Sequence, residues 1–222
     1  MRPQVIPARS EAERELAASR AAEVLREGGL VVHPTETVYG IGGDGSPENN
    51  RLVSRVKCRE PEKPLILLTP SIEVLHGRFP DLDWPPEADR LAQRFWPGPL
   101  TLVVRCPGAS AGLLGPNQGL AVRLSPDPTV AAILAHWRRP MTSSSANLTG
   151  GEPARTIDDA LELFGERPDL IDLDRPIIAV DAGTTKGALP STIVSFLDRP
   201  PRLLREGPVS REELEVSLSE LE

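Results

Sequence analysis

This 222-residue chain predicts an α/β domain with a twisted mixed sheet and flanking helices. Two observations carry that prediction. Short apolar runs of strand length, such as "LVVH" and "LTLVV", alternate with longer segments of helical period. The 24 prolines also sit mostly in the connections between those runs, where they stiffen loops.

The elements follow in order. Ser10, with Glu13 three residues on, makes a capping box ahead of an Ala- and Leu-rich helix that Gly28 and Gly29 stop. Leu30–His33 is a buried strand entering the loop "HPTETVYGIGGDG". Ser46 and Pro47 read as N-cap and first helical position of a second helix. "PLILL", "PLTLVVRC" and "GLAVRL" are strands, and "PPEADRLAQRFW" and "DPTVAAILAHW" are helices. "PMTSSSAN" is a short strand running into a polar loop, and "TIDDALELF" is helical. "PIIAV", "STIVSF" and "RLLR" are the last strands, and the segment after Arg205 reads as a capped acidic surface helix. The expected organisation is one domain over residues 10–208 with an acidic helical tail at 209–222.

Composition excludes several function classes. The formal net charge is −7, whereas a general nucleic-acid binder carries a basic excess. Cys58 and Cys106 are too few for a disulfide framework or a Cys-rich zinc site. No apolar run approaches the roughly 18 residues of a membrane helix, and the first residues lack the apolar segment of a secretory signal. A cytoplasmic protein without a membrane partner is expected. No GxxxxGK[ST], GxGxxG, HExxH or GxSxG motif is present.

Five polar stretches remain, each beside a strand end, where ligands of open α/β sheets bind. The opening loop offers the hydroxyls of Thr35, Thr37 and Tyr39 beside glycines that admit a close approach; a tight turn capped by its own threonines explains it equally well. "KCREPEKPL" sets Lys57, Arg59 and Lys63 at a helix end. There they either complement the helix dipole or hold phosphate oxygens. Arg123 ends an apolar strand and needs an anionic partner, from a ligand or from an internal Asp or Glu. "TSSSANLTGGEPART" has the donor density to wrap an anion. Ser191 and Arg205 stand at the ends of the last two strands.

These motifs resemble the YrdC-like threonylcarbamoyl-AMP synthases. "PTETVYGIG", "KCREPEKPL", "WPGPLTLVV", "AVRLSPDP", "SSANLTG", "STIV" and "LLREG" occur in that family's order, over about residues 15 to 208. The resemblance implies a twisted sheet around a large concave cavity, and a short bacterial form without the further C-terminal domain of the longer one. It implies the synthesis of threonylcarbamoyl-adenylate and pyrophosphate from L-threonine, bicarbonate and ATP, with Mg²⁺ held mainly through the ATP. The product would pass to a separate tRNA threonylcarbamoyl transferase complex, so no stable nucleic-acid contact is required. The family tetrad falls on Lys57, Arg59, Ser145 and Asn147. ATP contacts carry over to Arg59, Lys63, Ser145, Pro153 and Arg205, and threonine contacts to Thr37, Arg123, Ser143 and Ser191. Both Lys57 and Arg59 are expected to line solvent-filled space. The chain departs from the family pattern at His33, Glu60, Leu68 and Gly119. An RNA-binding maturation factor and a carbamoyltransferase-type domain are the competing readings.

Overall fold

The computed structural model describes residues 3–219 apart from 61–62, 111, 166, 168–169, 171–173 and 188. Among the described residues, ten strands form one mixed sheet. In chain order they are β1 (Gln4–Pro7), β2 (Leu30–His33), β3 (Gly40–Gly42), β4 (Ile66–Leu68) and β5 (Leu100–Arg105), then β6 (Gly119–Arg123), β7 (Met141–Ser145), β8 (Ile177–Asp181), β9 (Thr192–Ser195) and β10 (Arg202–Arg205). Across the sheet they run β1-β8-β2-β3-β7-β4-β6-β5-β9-β10. The helices are α1 (Glu11–Arg26), α2 (Pro47–Val56), α3 (Ile72–Arg78), α4 (Pro86–Phe95), α5 (Pro128–Trp137), α6 (Ile157–Leu161) and α7 (Arg211–Ser219).

Side chains alternate faces along a strand, and the two halves of the sheet use that alternation differently. In the first half both faces are covered by apolar groups. Val31, Ile178 and Val180 pack against α1 and α5, while Leu30, Val32, Ile177 and Ala179 pack against α2 and α6. Strands buried on both faces read as continuous apolar runs, which is why "LVVH" and "PIIAV" were legible. In the second half one face is uniformly apolar: Leu100, Leu102, Val104, Leu120 and Val122 meet α3, α4 and α7. The other face presents Thr101, Arg123 and Ser191. That mixed face, which also carries Leu68 and Ile193, borders a recess.

Local sequence accounts for most element boundaries. Ser10 and Glu13 make the reciprocal capping box before α1, and Ser46 caps α2. Asp127 caps α5 through the Thr129 and Val130 amides, at 2.8 and 3.2 Å. Three elements differ from expectation. Residues 4–7, placed outside the domain from sequence, form β1 and pair in parallel with β8; only Ile6 of the four is buried, so no periodicity marks them. α3 is seven residues long with one buried side chain, Leu75, too short for a helical pattern to show. Gly40–Gly42, read as loop, is a strand between β2 and β7. Its glycines are needed because β7 lies so close: a Cβ on Gly42 would fall 1.6 Å from the Thr142 carbonyl oxygen. The acidic C-terminal helix is not wholly surface, since Leu214 joins the core under α4.

Candidate functional site

The recess is a cavity of about 230 Å³ walled by the loop after β2, the ends of β4, β6, β7 and β10, and the start of β9. Three guanidinium groups reach it, from Arg59, Arg123 and Arg205, and hydroxyls of Thr37, Ser143, Ser144, Ser145 and Ser191 surround them.

Each cation is positioned by the fold. Arg123 follows Val122 on β6, so its side chain leaves the apolar face and enters the recess. It forms an ion pair with Glu36 and donates to the Thr37 hydroxyl at 3.2 Å. Ser125 donates to the other Glu36 oxygen at 2.6 Å. Sequence left open whether the partner of Arg123 was a ligand or an internal carboxylate; internally it is Glu36. Arg205 is anchored by Ser191, its Nε donating to the carbonyl at 2.9 Å and its Nη2 to the hydroxyl at 3.3 Å. Thr101 shares a 2.8 Å hydrogen bond with that hydroxyl from β5. Arg59 donates to the Ser144 hydroxyl at 3.2 Å and to the Pro64 carbonyl at 3.1 Å.

The electrostatics are unbalanced. Desolvation lowers the pKa of Arg59 and, with help from nearby Arg123, of Arg205. Glu36 is the one carboxylate paired to any of the three among the described residues. Buried Nε atoms of Arg59 and Arg123 have no hydrogen-bond partner. Buried guanidinium groups with unused donors form a site for anions, because an anion supplies both the charge and the missing acceptors.

Residues 23–207 match the Sua5/YciO/YrdC family model, described as "Telomere recombination". The chain belongs to the Sua5/YciO/YrdC family. It is 34% identical over 203 residues to the threonylcarbamoyl-AMP synthase of Pyrococcus abyssi, covering 90% of this chain and 57% of that one. Thus it spans little more than half the length of that relative. It is 38% identical over 148 residues to the Stenotrophomonas maltophilia protein of the same name, covering 66% of this chain and 80% of the relative. The crystal structure of P. abyssi Sua5 complexed with L-threonine matches it with a TM-score of 0.83 and 31% identity, over 99% of this chain and 62% of that one.

Of the positions that the Sua5/YciO/YrdC resemblance singles out, the cavity wall brings together Thr37, Arg59, Arg123, Ser143, Ser145, Ser191 and Arg205. Four others lie elsewhere. Lys57 was expected in solvent-filled space, but it is 4% exposed and does not line the cavity. Its ammonium donates to the backbone carbonyls of Ser145 and Asn147, the latter at 2.6 Å. Lys63 is half exposed and pairs with Glu60 at 3.4 Å, so the carboxylate that departs from the family pattern sits on a lysine. Asn147 turns its amide inward to the carbonyls of Leu148 and Gly151, at 2.8 and 2.7 Å. Pro153 is half-buried in the same loop, off the cavity wall.

The other departures have structural roles. Leu68 is on the cavity wall. Gly119 is off it, and a Cβ there would come within 2.8 Å of Leu197 and 3.0 Å of Val103. His33 is fully buried, and desolvation drops its pKa to about 4, so it is neutral at pH 7. In the opening loop Thr35 does cap its own turn, accepting from the Val38 amide at 3.1 Å, and the Tyr39 hydroxyl donates to the Gly183 carbonyl at 2.7 Å. Sequence reasoning missed Glu36, Ser144 and Thr101. Glu36 had a signal, one residue from Thr37 in a quoted motif; Thr101 had none, being one hydroxyl in an apolar strand.

Proposed function

We propose that this chain is an L-threonylcarbamoyladenylate synthase, a nucleotidyltransferase that joins L-threonine, bicarbonate and ATP and releases pyrophosphate. The convergence of three guanidinium groups on one hydroxyl-lined cavity, against a single carboxylate, is the observation that carries this reading. Curated relatives named threonylcarbamoyl-AMP synthase and a solved relative holding L-threonine support it.

The chemistry requires two anions to be held together. Threonine's amine and bicarbonate give an N-carboxy-threonine with loss of water. A carbamate oxygen then attacks the α-phosphorus of ATP, and the bond to the β,γ-diphosphate breaks to release pyrophosphate. Like charges resist that approach, so fixed cations and preorganised donors lower the barrier. In this reading Arg123 takes threonine's carboxylate on the guanidinium edge that Glu36 leaves free. Thr37, Ser143 and Ser191 flank it with hydroxyls, while Arg59, Arg205 and Ser145 face the phosphates. No protein nucleophile is needed.

Among the described residues no three His, Cys, Asp or Glu side chains gather to hold a metal. In this reading Mg²⁺ arrives on the triphosphate, an ion that keeps phosphate and water ligands rather than an all-protein cage. Bound there, Mg²⁺ would neutralise phosphate charge, and Arg59 and Arg205 would take the remainder. The adenylate would then pass to a tRNA threonylcarbamoyl transferase complex in the cytoplasm. No described helix is long and apolar enough to cross a membrane. The RNA-binding alternative lacks a stacking platform, because Tyr39 is the one aromatic residue among those lining the cavity.

The test is pyrophosphate release by the purified chain. Release should require ATP, bicarbonate and L-threonine together; release indifferent to threonine would remove the substrate assignment and leave the carbamoyltransferase-type reading.

A further inference from the structure

We propose that Lys57 is a positioning residue that locks the turn after β7, setting Ser145 and the backbone beside it, and does not itself touch the nucleotide. The functional part of this inference rests on the reading above; the structural part does not.

Lys57 meets the turn from two directions. Its ammonium donates to the carbonyl oxygens of Ser145 and Asn147, two residues apart on the outgoing chain. Its own carbonyl accepts from the Thr149 amide and the Thr149 hydroxyl, both at 3.2 Å. One residue at the C-terminal end of α2 therefore holds both ends of the segment from Ser145 to Thr149. Asn147 braces the same turn from within, through Leu148 and Gly151. The turn follows directly from β7, where Ser143, Ser144 and Ser145 line the cavity.

The surroundings of the ammonium do not suit a phosphate ligand. It lies behind the wall, and its charge is met by carbonyl dipoles with no carboxylate partner among the described residues. Burial and the neighbouring Arg59 lower its pKa to about 8, against which the carbonyl acceptors hold the charged form in place. Arg167, which donates to the carbonyls of Arg55 and Val56 at 3.0 Å, adds a further cation at the end of α2. The left-handed backbone at Cys58, φ 48°, turns the chain between Lys57 and Arg59. In consequence Lys57 turns back towards the main chain while Arg59 turns into the cavity.

Two measurements test this. In Lys57→Met, hydrogen exchange at the Asn147, Thr149 and Gly151 amides should accelerate at least tenfold while the α1 and β2 amides keep their protection. Unchanged exchange in the turn would overturn the lock, whatever the reaction proves to be. Thr149→Val, at an exposed position, removes one strand of the same lock and serves if Lys57→Met does not fold; its expected effect is smaller and in the same direction. In the pyrophosphate assay Lys57→Met should lower kcat about 10- to 100-fold, the cost of misplacing a positioned group by about 1 Å, with the ATP KM changed less than about threefold. Combined with Ser145→Ala it should be little worse than the more damaging single change, because both act through one position. Lys57→Gln, uncharged but still offering two N–H donors, should recover part of the loss. Additive losses in the double variant, or a rise confined to the ATP KM, would assign Lys57 to the phosphates instead. A wild-type protein that releases no pyrophosphate would remove the catalytic half and leave the exchange result to decide the lock.

Discussion

The two ends of the cavity hold their cations in opposite ways. At one end Arg123, Glu36, Thr37 and Ser125 form a buried cluster in which the cation already has an internal partner. At the other, the segment from Lys57 to Lys63 sends three cations to three fates: Lys57 into the main chain, Arg59 into the cavity, Lys63 out to Glu60. A cluster of charge in the sequence is therefore not a cluster in space. The left-handed turn at Cys58 separates neighbours, whereas strand order brought Arg123 and Arg205 into one cavity from 82 positions apart.

If that contrast is right, parallel substitutions at the two ends should differ in kind. Arg123→Met should abolish most threonine-dependent turnover, by 100-fold or more, and also destabilise the protein by about 3 kcal/mol in urea unfolding. It would leave the Glu36 carboxylate buried without its partner. Adding Glu36→Gln should recover stability but not turnover. Lys63→Ala should change stability by less than ~0.5 kcal/mol, because an exposed pair contributes little, and should alter at most the ATP KM. Equal destabilisation at both ends would break the contrast.

A smaller effect sharpens it. His33, beside the Arg123 cluster, ordinarily titrates at 6.5 and here at about 4. Between those values the unfolded chain binds the proton that the folded one refuses, so stability should fall as pH drops from 6.5 towards 4. The loss should reach about 3 kcal/mol at most, with no contribution above pH 6.5. His33→Phe should remove that slope from the pH dependence of unfolding; an unchanged slope would mean the ring is already solvated.

Legibility from sequence divides along the same physical lines. Strands buried on both faces, such as Leu30–His33, and helices with side-chain caps, such as α1 and α5, announce themselves through composition and cap residues. β1 and α3 do not, because each buries a single side chain and its stability comes from pairing or packing elsewhere. The seven cavity residues were reached through motif order, since nothing in spacing alone links Thr37 to Ser191. The fate of Lys57 was illegible because its partners are backbone carbonyls, which every sequence possesses. Glu36 was hidden differently: an ordinary acidic residue in a quoted loop becomes a partner only once β6 is laid beside it.

Recognition of the amino acid by its charge is the point on which the account turns, and substrate pairing isolates it. Pyrophosphate release should be measured with ATP, bicarbonate and either L-threonine or L-threoninol, which keeps the amine and side chain but lacks the carboxylate. The account predicts turnover with threonine and at least 100-fold less with threoninol, a gap that Arg123→Met erases. Equal turnover with both compounds would contradict it.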